Sequence, residues 1–363
     1  MKYDYLVVGA GLFGSTFSHQ MARRGKSVLV VDKRDHIAGN CYTKKTNGIQ
    51  VHVYGGHVFH TNSARVWEFV NRFAEFNSFT LRPKAIYQNC IYSLPINLNT
   101  FHEIAGCKTP AEAREYVERV RIPCENPSNL EDWMLAQVGR ELYERLIRGY
   151  TTKQWGRSPR ELPASIVRRL PIRYTFNDNY FEDRYQGIPR GGYTTMVGQM
   201  LAGIQVDLGV EFQKLDWTRY AKRLVYTGPV DEFFGYEYGR LDYRTLEFRT
   251  EQMHGDHQGC AQVNYTDEAV PYTRVVEHKH FETTHLPHTI ITREYPAEWT
   301  PGAVPYYPVN DDKNKAVYAK YRKLAGSDPR IVFGGRLGSY QYYNMDQVIG
   351  AALAAADQVH SVE

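Results

Sequence analysis

Gly9-Ala10-Gly11-Leu12-Phe13-Gly14 follows directly on the apolar run Tyr5-Leu6-Val7-Val8. Glycines at this spacing suit a chain that must turn tightly, admit a pyrophosphate against its backbone and pack a helix close to a strand. Gly9 serves the turn, Gly11 the close approach and Gly14 the packing. The residues beyond carry Phe13, Phe17 and Met21 at helical spacing and stop at Gly25, and a second apolar run, Ser27 to Val31, ends on Asp32. The helix start offers free N–H groups and the positive end of its dipole to phosphates. A carboxylate 18 residues after Gly14 is placed to accept ribose hydroxyls. Strand, glycine turn, helix, strand and acid together predict dinucleotide binding. Arg34-Asp35-His36-Ile37-Ala38-Gly39-Asn40 leans towards a flavin. Many FAD proteins place an arginine followed by a Gly-Gly pair there, and here the first glycine of that pair is Ala38.

Further along, Gly55-Gly56-His57-Val58-Phe59-His60-Thr61 sets two histidines three apart. A metal would need further ligands of recognisable spacing, and none accompanies them, so no metal is expected. A loop laid against the cofactor is the better reading. The middle of the chain changes character. Pro110 to Arg121 reads as a helix. Ser128 and Glu131 read as a capping box ahead of a stripe of Leu130, Trp133, Met134, Val138, Leu142 and Leu146. From about 212 to 300, β-branched and aromatic residues alternate with polar ones, as in Arg244–Thr250 and Val275–Phe281, which predicts antiparallel sheet. Arg330-Ile331-Val332-Phe333 is a further buried strand, followed by a helix from Met345.

The whole composition is that of a globular protein: 363 residues, 42% hydrophobic, 23% charged, net charge +4. Wholesale disorder, collagen and coiled coil are excluded. The charge is too mild for a nucleic-acid partner and compatible with an anionic small molecule. No run approaches a membrane span. The N-terminus has no secretory pattern, and five scattered cysteines without a CxxC pair fit reduced thiols, so a cytoplasmic location is expected. The 28 tyrosines stand out, since a phenol can hydrogen-bond phosphate or sugar.

Several motifs in order along nearly the whole chain resemble the bacterial UDP-galactopyranose mutases. They are the glycine fingerprint, Gly55-Gly56-His57-x-Phe59-His60-Thr61, Tyr150-Thr151-x-Lys153-Gln154-Trp155-Gly156, Arg169-Leu170-Pro171-x-Arg173, Asn179-Tyr180-Phe181, Tyr272-Thr273-Arg274, Tyr306-Tyr307-Pro308 and Gly334-Gly335-Arg336. The resemblance implies an α/β fold: an FAD-binding Rossmann-like domain of discontinuous segments (1–78, 190–215, 328–363), an inserted helical domain (98–172) and an antiparallel sheet domain (79–97, 173–189, 216–327). Cofactor contacts would come from Gly9, Gly11, Phe13, Gly14, Asp32, Lys33, Gly39, Asn40, His57 and Val58. Near the C-terminus they would come from Arg336, Tyr343, Met345, Asp346, Gln347 and Val348.

The resemblance further implies interconversion of UDP-galactopyranose and UDP-galactofuranose by ring contraction. N5 of reduced FAD would attack the anomeric carbon, UDP would leave, and the sugar would open and reclose through a flavin iminium. Arg169 and Arg274 match the family's diphosphate-binding arginines, and Tyr180, Tyr306, Tyr307 and Tyr342 its phosphate-contacting tyrosines. Tyr150, Thr151 and Trp155 would line the nucleotide pocket, with Tyr150 stacked on uracil. His57 and His60 would tune the flavin or move a proton. Asn344 stands where relatives carry Asp, so this position can hydrogen-bond but brings no carboxylate. A homodimer, an external NAD(P)H-derived reductant and a supply role for cell-surface polysaccharide are the corresponding expectations. Two other classes share the cofactor domain: an FAD-dependent oxidoreductase of the amine-oxidase type and a non-catalytic carrier.

Overall fold

The computed structural model describes residues 2–168, 170–282, 284–309 and 311–362. The chain forms two compact units, both discontinuous. One comprises Met1–Ser78, Asp183–Arg244 and Trp299–Glu363, the other Phe79–Glu182 and Thr245–Glu298.

The first unit is built on a five-stranded sheet in the order Ile331–Phe333, Ala221–Tyr226, Tyr3–Val8, Val28–Asp32, Gln205–Leu208. Every neighbouring pair is parallel, with Tyr5 opposite Val28 on one side and Arg223 on the other. Burial on both faces explains why the central strands read as unbroken apolar runs. Side chains alternate across the sheet. Tyr5, Val7, Val30 and Val225 pack with Phe13, Phe17 and Met21 of the first helix and with Ile349, Ala352 and Leu353 of the last. Leu6, Leu29, Val31 and Leu224 join a second cluster on the opposite face. The first helix runs Leu12–Arg23 and the last Met345–Val362.

The expected boundaries shift here. The alternating pattern puts Ala221–Tyr226 in the antiparallel region. In the structure it runs parallel beside Tyr3–Val8, because Leu224, Val225 and Tyr226 are buried on both faces.

In the second unit, helices Leu98–Ala105, Pro110–Val120 and Leu130–Leu142 lead into a wide-turned helical segment, Tyr143–Arg148, and then Gly149–Trp155. The apolar stripe lies inward, with Leu130, Met134, Val138, Leu142 and Leu146 in one core. The cap is displaced by one residue from the expected one: Asn129 Oδ1 accepts from Asp132 N at 2.9 Å. Glu131 is instead a nearly buried carboxylate that accepts from the Tyr143 hydroxyl at 2.9 Å and pairs with Arg160. The unit's sheet runs in the order Tyr243–His254, the strand expected at Arg244–Thr250, then His288–Glu298, Arg274–Glu277, Gln262–Tyr265, Lys84–Tyr87 and Cys90–Ser93. Among the last five, all neighbours are antiparallel except Gln262–Tyr265 with Lys84–Tyr87. The strand expected to run from Val275 to Phe281 ends at Glu277, and a short 3-10 turn, His278–His280, follows. Helices and strands expected as separate domains form one body, since Ala85 and Tyr92 of the strands share the helices' core.

Candidate active site

The glycine turn has the backbone geometry its spacing predicts at Gly9 and Gly14. Gly9 has φ +108, and a Cβ there would sit 2.0 Å from Thr227 Oγ1. A Cβ on Gly14 would sit 1.9 Å from the Gly9 carbonyl oxygen, so helix and turn meet only because position 14 lacks a side chain. The helix N-cap, Gly11, has no side chain to cap the first turn. Its amides are therefore left for a ligand.

A pocket opens at this turn. It is lined by thirteen of the sixteen expected cofactor residues: Gly9, Gly11, Phe13, Gly14, Asp32, Lys33, Gly39, Asn40, His57, Arg336, Tyr343, Met345 and Val348. Val58, Asp346 and Gln347 lie off it. Val58 is buried, Asp346 Oδ2 accepts from Thr61 Oγ1 at 3.0 Å, and Gln347 Oε1 accepts from Asn344 N at 2.8 Å. Asp32 also braces the turn. Its carboxylate accepts from Ala10 N at 2.8 Å and from Arg34 N at 2.9 Å, tying the strand end to the glycine loop. Uncapped amides, two close-packed glycines and a carboxylate at the next strand end fit the pyrophosphate and ribose of a dinucleotide.

Sequence reading missed Thr227, Gly228, Val304 and Pro305 of the lining. They come from loops whose composition carries no cofactor signal.

Around Arg336 the same unit gathers four tyrosines. Arg336 donates to the carbonyls of Tyr306, at 3.1 Å, and Tyr343, at 2.6 Å. Its guanidinium lies 5.6 Å from the Tyr307 ring centre and 5.3 Å from that of Tyr342. Those two rings stack at 5.2 Å and 19°. Tyr306 is buried, which pushes its phenol up to about 12, whereas Tyr307 and Tyr342 are only half-buried. Asn344 is half-buried at the start of the last helix.

The two histidines part company. His57 lines the pocket, its backbone N donating to His52 Nδ1 at 3.1 Å and its carbonyl accepting from the Tyr193 hydroxyl at 3.2 Å. His60 is not in the lining; its Nδ1 lies 2.6 Å from Asp183 Oδ2.

In the second unit, Arg274 Nη2 donates to the Tyr150 hydroxyl at 3.0 Å, and Nη1 lies 3.2 Å from Glu294 Oε2. Glu294 is buried, so the carboxylate pins the guanidinium in one orientation. Burial raises the Tyr150 phenol, and the Arg274 charge draws it back. Thr151 is buried, and Trp155 packs partly against the helical core. Tyr180 is half-buried, its ring edge-on to Phe181 at 4.9 Å. Arg169 lies outside the described residues. Glu294 is a partner that sequence reading missed, and its trace is one acid in an alternating strand that also ends on Glu298.

Among the described residues one group has metal-ligand spacing: Asp256, Glu277 and His280. Lys279 already pairs with Asp256, and Glu277 accepts the backbone N–H groups of His257, Gln258 and Gly259, so positive partners come from the chain itself. No helix among the described residues is long and apolar enough to cross a membrane.

Fold and pocket together define a protein with a Rossmann-like dinucleotide-binding domain and a second unit of helices and antiparallel sheet inserted into it. The family model for NAD(P)-binding Rossmann-like domains matches residues 7–73, and that for UDP-galactopyranose mutase matches residues 145–342. A protein of Klebsiella pneumoniae named "Probable UDP-galactopyranose mutase" is 42% identical over 98% of this chain and 94% of its own. The dTDP-fucopyranose mutase of Escherichia coli is 38% identical over 97% of each. A crystal structure of reduced UDP-galactopyranose mutase superposes with TM-score 0.79, at 15% identity, over 100% of this chain and 96% of that one. The chain belongs to the UDP-galactopyranose mutase family and is an isomerase.

Proposed function

We propose that the protein interconverts UDP-galactopyranose and UDP-galactofuranose and that its cofactor is FAD, active when reduced. The observation that supports this best is likeness to a mutase at 42% identity across 98% of the chain, a span that includes both the dinucleotide pocket and the Arg274–Tyr150 pair. When bound, the reduced flavin supplies the nucleophile for the anomeric carbon.

The chain's own residues do the rest. The Gly9–Gly14 turn and the helix start hold the cofactor pyrophosphate. Asp32, Lys33, Gly39 and Asn40 hold the ribose end, and His57, Arg336, Tyr343 and the start of the last helix hold the ring end. Arg274, oriented by Glu294, binds the substrate diphosphate and keeps hold of UDP as its negative charge grows on departure. Arg169, Tyr180, Tyr306, Tyr307, Tyr342 and Asn344 are the further donors that the family resemblance assigns to the nucleotide-sugar. Tyr150, Thr151 and Trp155 shape the nucleotide pocket, with Tyr150 stacked on uracil and its hydroxyl on Arg274. His57 acts on the flavin side; His60, outside the pocket lining with its Nδ1 beside Asp183 Oδ2, is assigned there by the family resemblance alone. In the same reading the protein is a cytoplasmic homodimer, reduced by NAD(P)H-derived electrons, that supplies galactofuranose for surface polysaccharide.

The test is a visible spectrum of the purified protein followed by assay of UDP-galactofuranose with and without dithionite. Yellow protein that turns over only when reduced is the expected result. Full activity without a reductant overturns the reduced-flavin requirement. Colourless protein favours a carrier, and net oxidation of the substrate favours an amine-oxidase-type enzyme. The 38% identical relative that acts on a dTDP-sugar makes dTDP-fucopyranose the comparison substrate. Preference for it would overturn the UDP-galactose assignment alone.

A further inference from the structure

Lys153 belongs to the Tyr150–Gly156 motif, yet none of the roles above uses it. It projects from the helix Gly149–Trp155. Its Nζ donates to four backbone carbonyls, those of Tyr265 at 2.8 Å, Asp267 at 2.7 Å, Val270 at 2.9 Å and Tyr272 at 2.9 Å. The first ends the strand Gln262–Tyr265, and the other three belong to the turn that joins it to the strand Arg274–Glu277. An ammonium carries three protons, so the fourth contact is shared. Four carbonyl dipoles aimed at one point repel one another unless a cation sits among them, as in a carbonyl-ringed ion site. Burial pulls the amine down to about 8, while the Asp267 and Glu268 carboxylates draw it back up. Hydrogen bonds accepted by the carbonyls favour the ammonium further.

The surroundings show what the turn must hold still. A Cβ on Gly149 would lie 2.2 Å from the Thr266 carbonyl oxygen, so the helix touches the turn backbone directly. Thr266 Oγ1 donates to the Arg145 carbonyl at 2.6 Å. Gly149 and Lys153 are four apart and share a helix face. Between them stands Tyr150, whose hydroxyl accepts from Arg274, the residue that opens the strand just after the turn. Both ends of one hydrogen bond are thus set by the same helix-on-turn contact.

We propose that Lys153 is a positioning residue: its ammonium is an internal counter-cation that closes the 265–272 turn and so holds Arg274 in register with Tyr150 for a nucleotide diphosphate. The last clause rests on the reading under Proposed function. The turn is an integral part of the unit, and the ammonium does for it what a bound monovalent cation would do.

The experiment uses the full-length protein with three variants. Lys153→Met keeps the stem and removes the charge. Lys153→Ala empties the carbonyl ring, and Lys153→Gln, with two N–H donors, is the mildest change. Two quantities are read: calorimetric affinity for UDP, and amide hydrogen exchange over residues 262–274. Lys153→Met is expected to weaken UDP at least about tenfold, in keeping with loss of charge-assisted hydrogen bonds. Exchange over 262–274 should rise while flavin content stays at the wild-type level. Propylammonium chloride should restore much of the loss in Lys153→Ala, and tetramethylammonium, which has no N–H, should not.

Unchanged exchange over 262–274 in Lys153→Met overturns the inference, as does a loss in Lys153→Ala that propylammonium does not repair. If the Met and Ala variants fail to fold, Lys153→Gln decides: wild-type exchange and affinity would sink the idea. A wild-type protein that does not bind UDP defeats the functional reading instead, and hydrogen exchange still reports on the turn.

Discussion

Arg274 gains its geometry from what surrounds it. A surface arginine samples many rotamers, but this one is held between a phenol at 3.0 Å and a buried carboxylate at 3.2 Å. Its planar fork is therefore set before any ligand arrives, which lowers the entropic cost of binding. Arg274→Ala removes the fork and leaves Glu294 buried without its cation. UDP affinity is expected to fall by about ten- to a hundredfold, the span of about 1.5–3 kcal/mol typical of a charged hydrogen bond. The flavin-to-protein absorbance ratio should stay unchanged, because Arg274 lies in the other unit from the dinucleotide pocket. Normal turnover would remove it from the site. Trp155 tests the same reading more gently: an unaltered UDP affinity in Trp155→Ala would leave it a packing residue of the helical core.

Among the elements, the first strand, turn and helix are the part most fully written in the chain. Their signals are local: an apolar run, three glycines and a 3.6-residue period. The structure adds that Gly14 is needed against the backbone, a Cβ there falling 1.9 Å from the Gly9 oxygen. Gly14→Ala must push helix and turn apart, costing about 1–3 kcal/mol by the usual scale of overpacking. The prediction is protein purified with sub-stoichiometric flavin and a lowered melting temperature; full flavin content would show that the turn can absorb a methyl group. Elsewhere local signals misled. Ser128 and Glu131 satisfy a capping box on spacing alone, yet Asn129 caps the helix and Glu131 turns inward to Tyr143 and Arg160. A buried carboxylate with two partners outweighs a solvent-exposed cap of about 1 kcal/mol. Ala221–Tyr226 likewise looks half-alternating in sequence, and only its neighbours Tyr3–Val8 and Ile331–Phe333 make it a central parallel strand.

At the scale of the molecule, the pattern of burial predicts a pH response. His278 is fully enclosed in the second unit, its Nε2 2.8 Å from Thr292 Oγ1, and burial pulls it down to about 3. The unfolded chain binds a proton near pH 6.5 that the folded one refuses until about 3. Its contribution is therefore complete above pH 6.5 and lost as the pH falls through that window, by about 2 kcal/mol at pH 5. Urea unfolding at pH 7 and pH 5 should show this loss, and it should shrink in His278→Gln, which keeps a hydrogen-bonding group near Thr292 without a titrating ring. An equal loss in both proteins would move the acid sensitivity elsewhere.

The division of labour between sequence and tertiary structure follows from range. Motifs whose parts lie within a helix turn or a strand and its loop, such as Gly9–Gly14 with Asp32, could be read directly, because their physics is local backbone geometry. The paired units were to be expected only through the family resemblance, since each is assembled from segments far apart in the chain and a core is shared by whatever packs, as Ala85 and Tyr92 share one with the helices. Only folding brought Glu294 to Arg274, Asp183 to His60 and four carbonyls to Lys153. Partners of a buried charge are chosen by desolvation, which has no sequence spacing and exists only once water has been excluded.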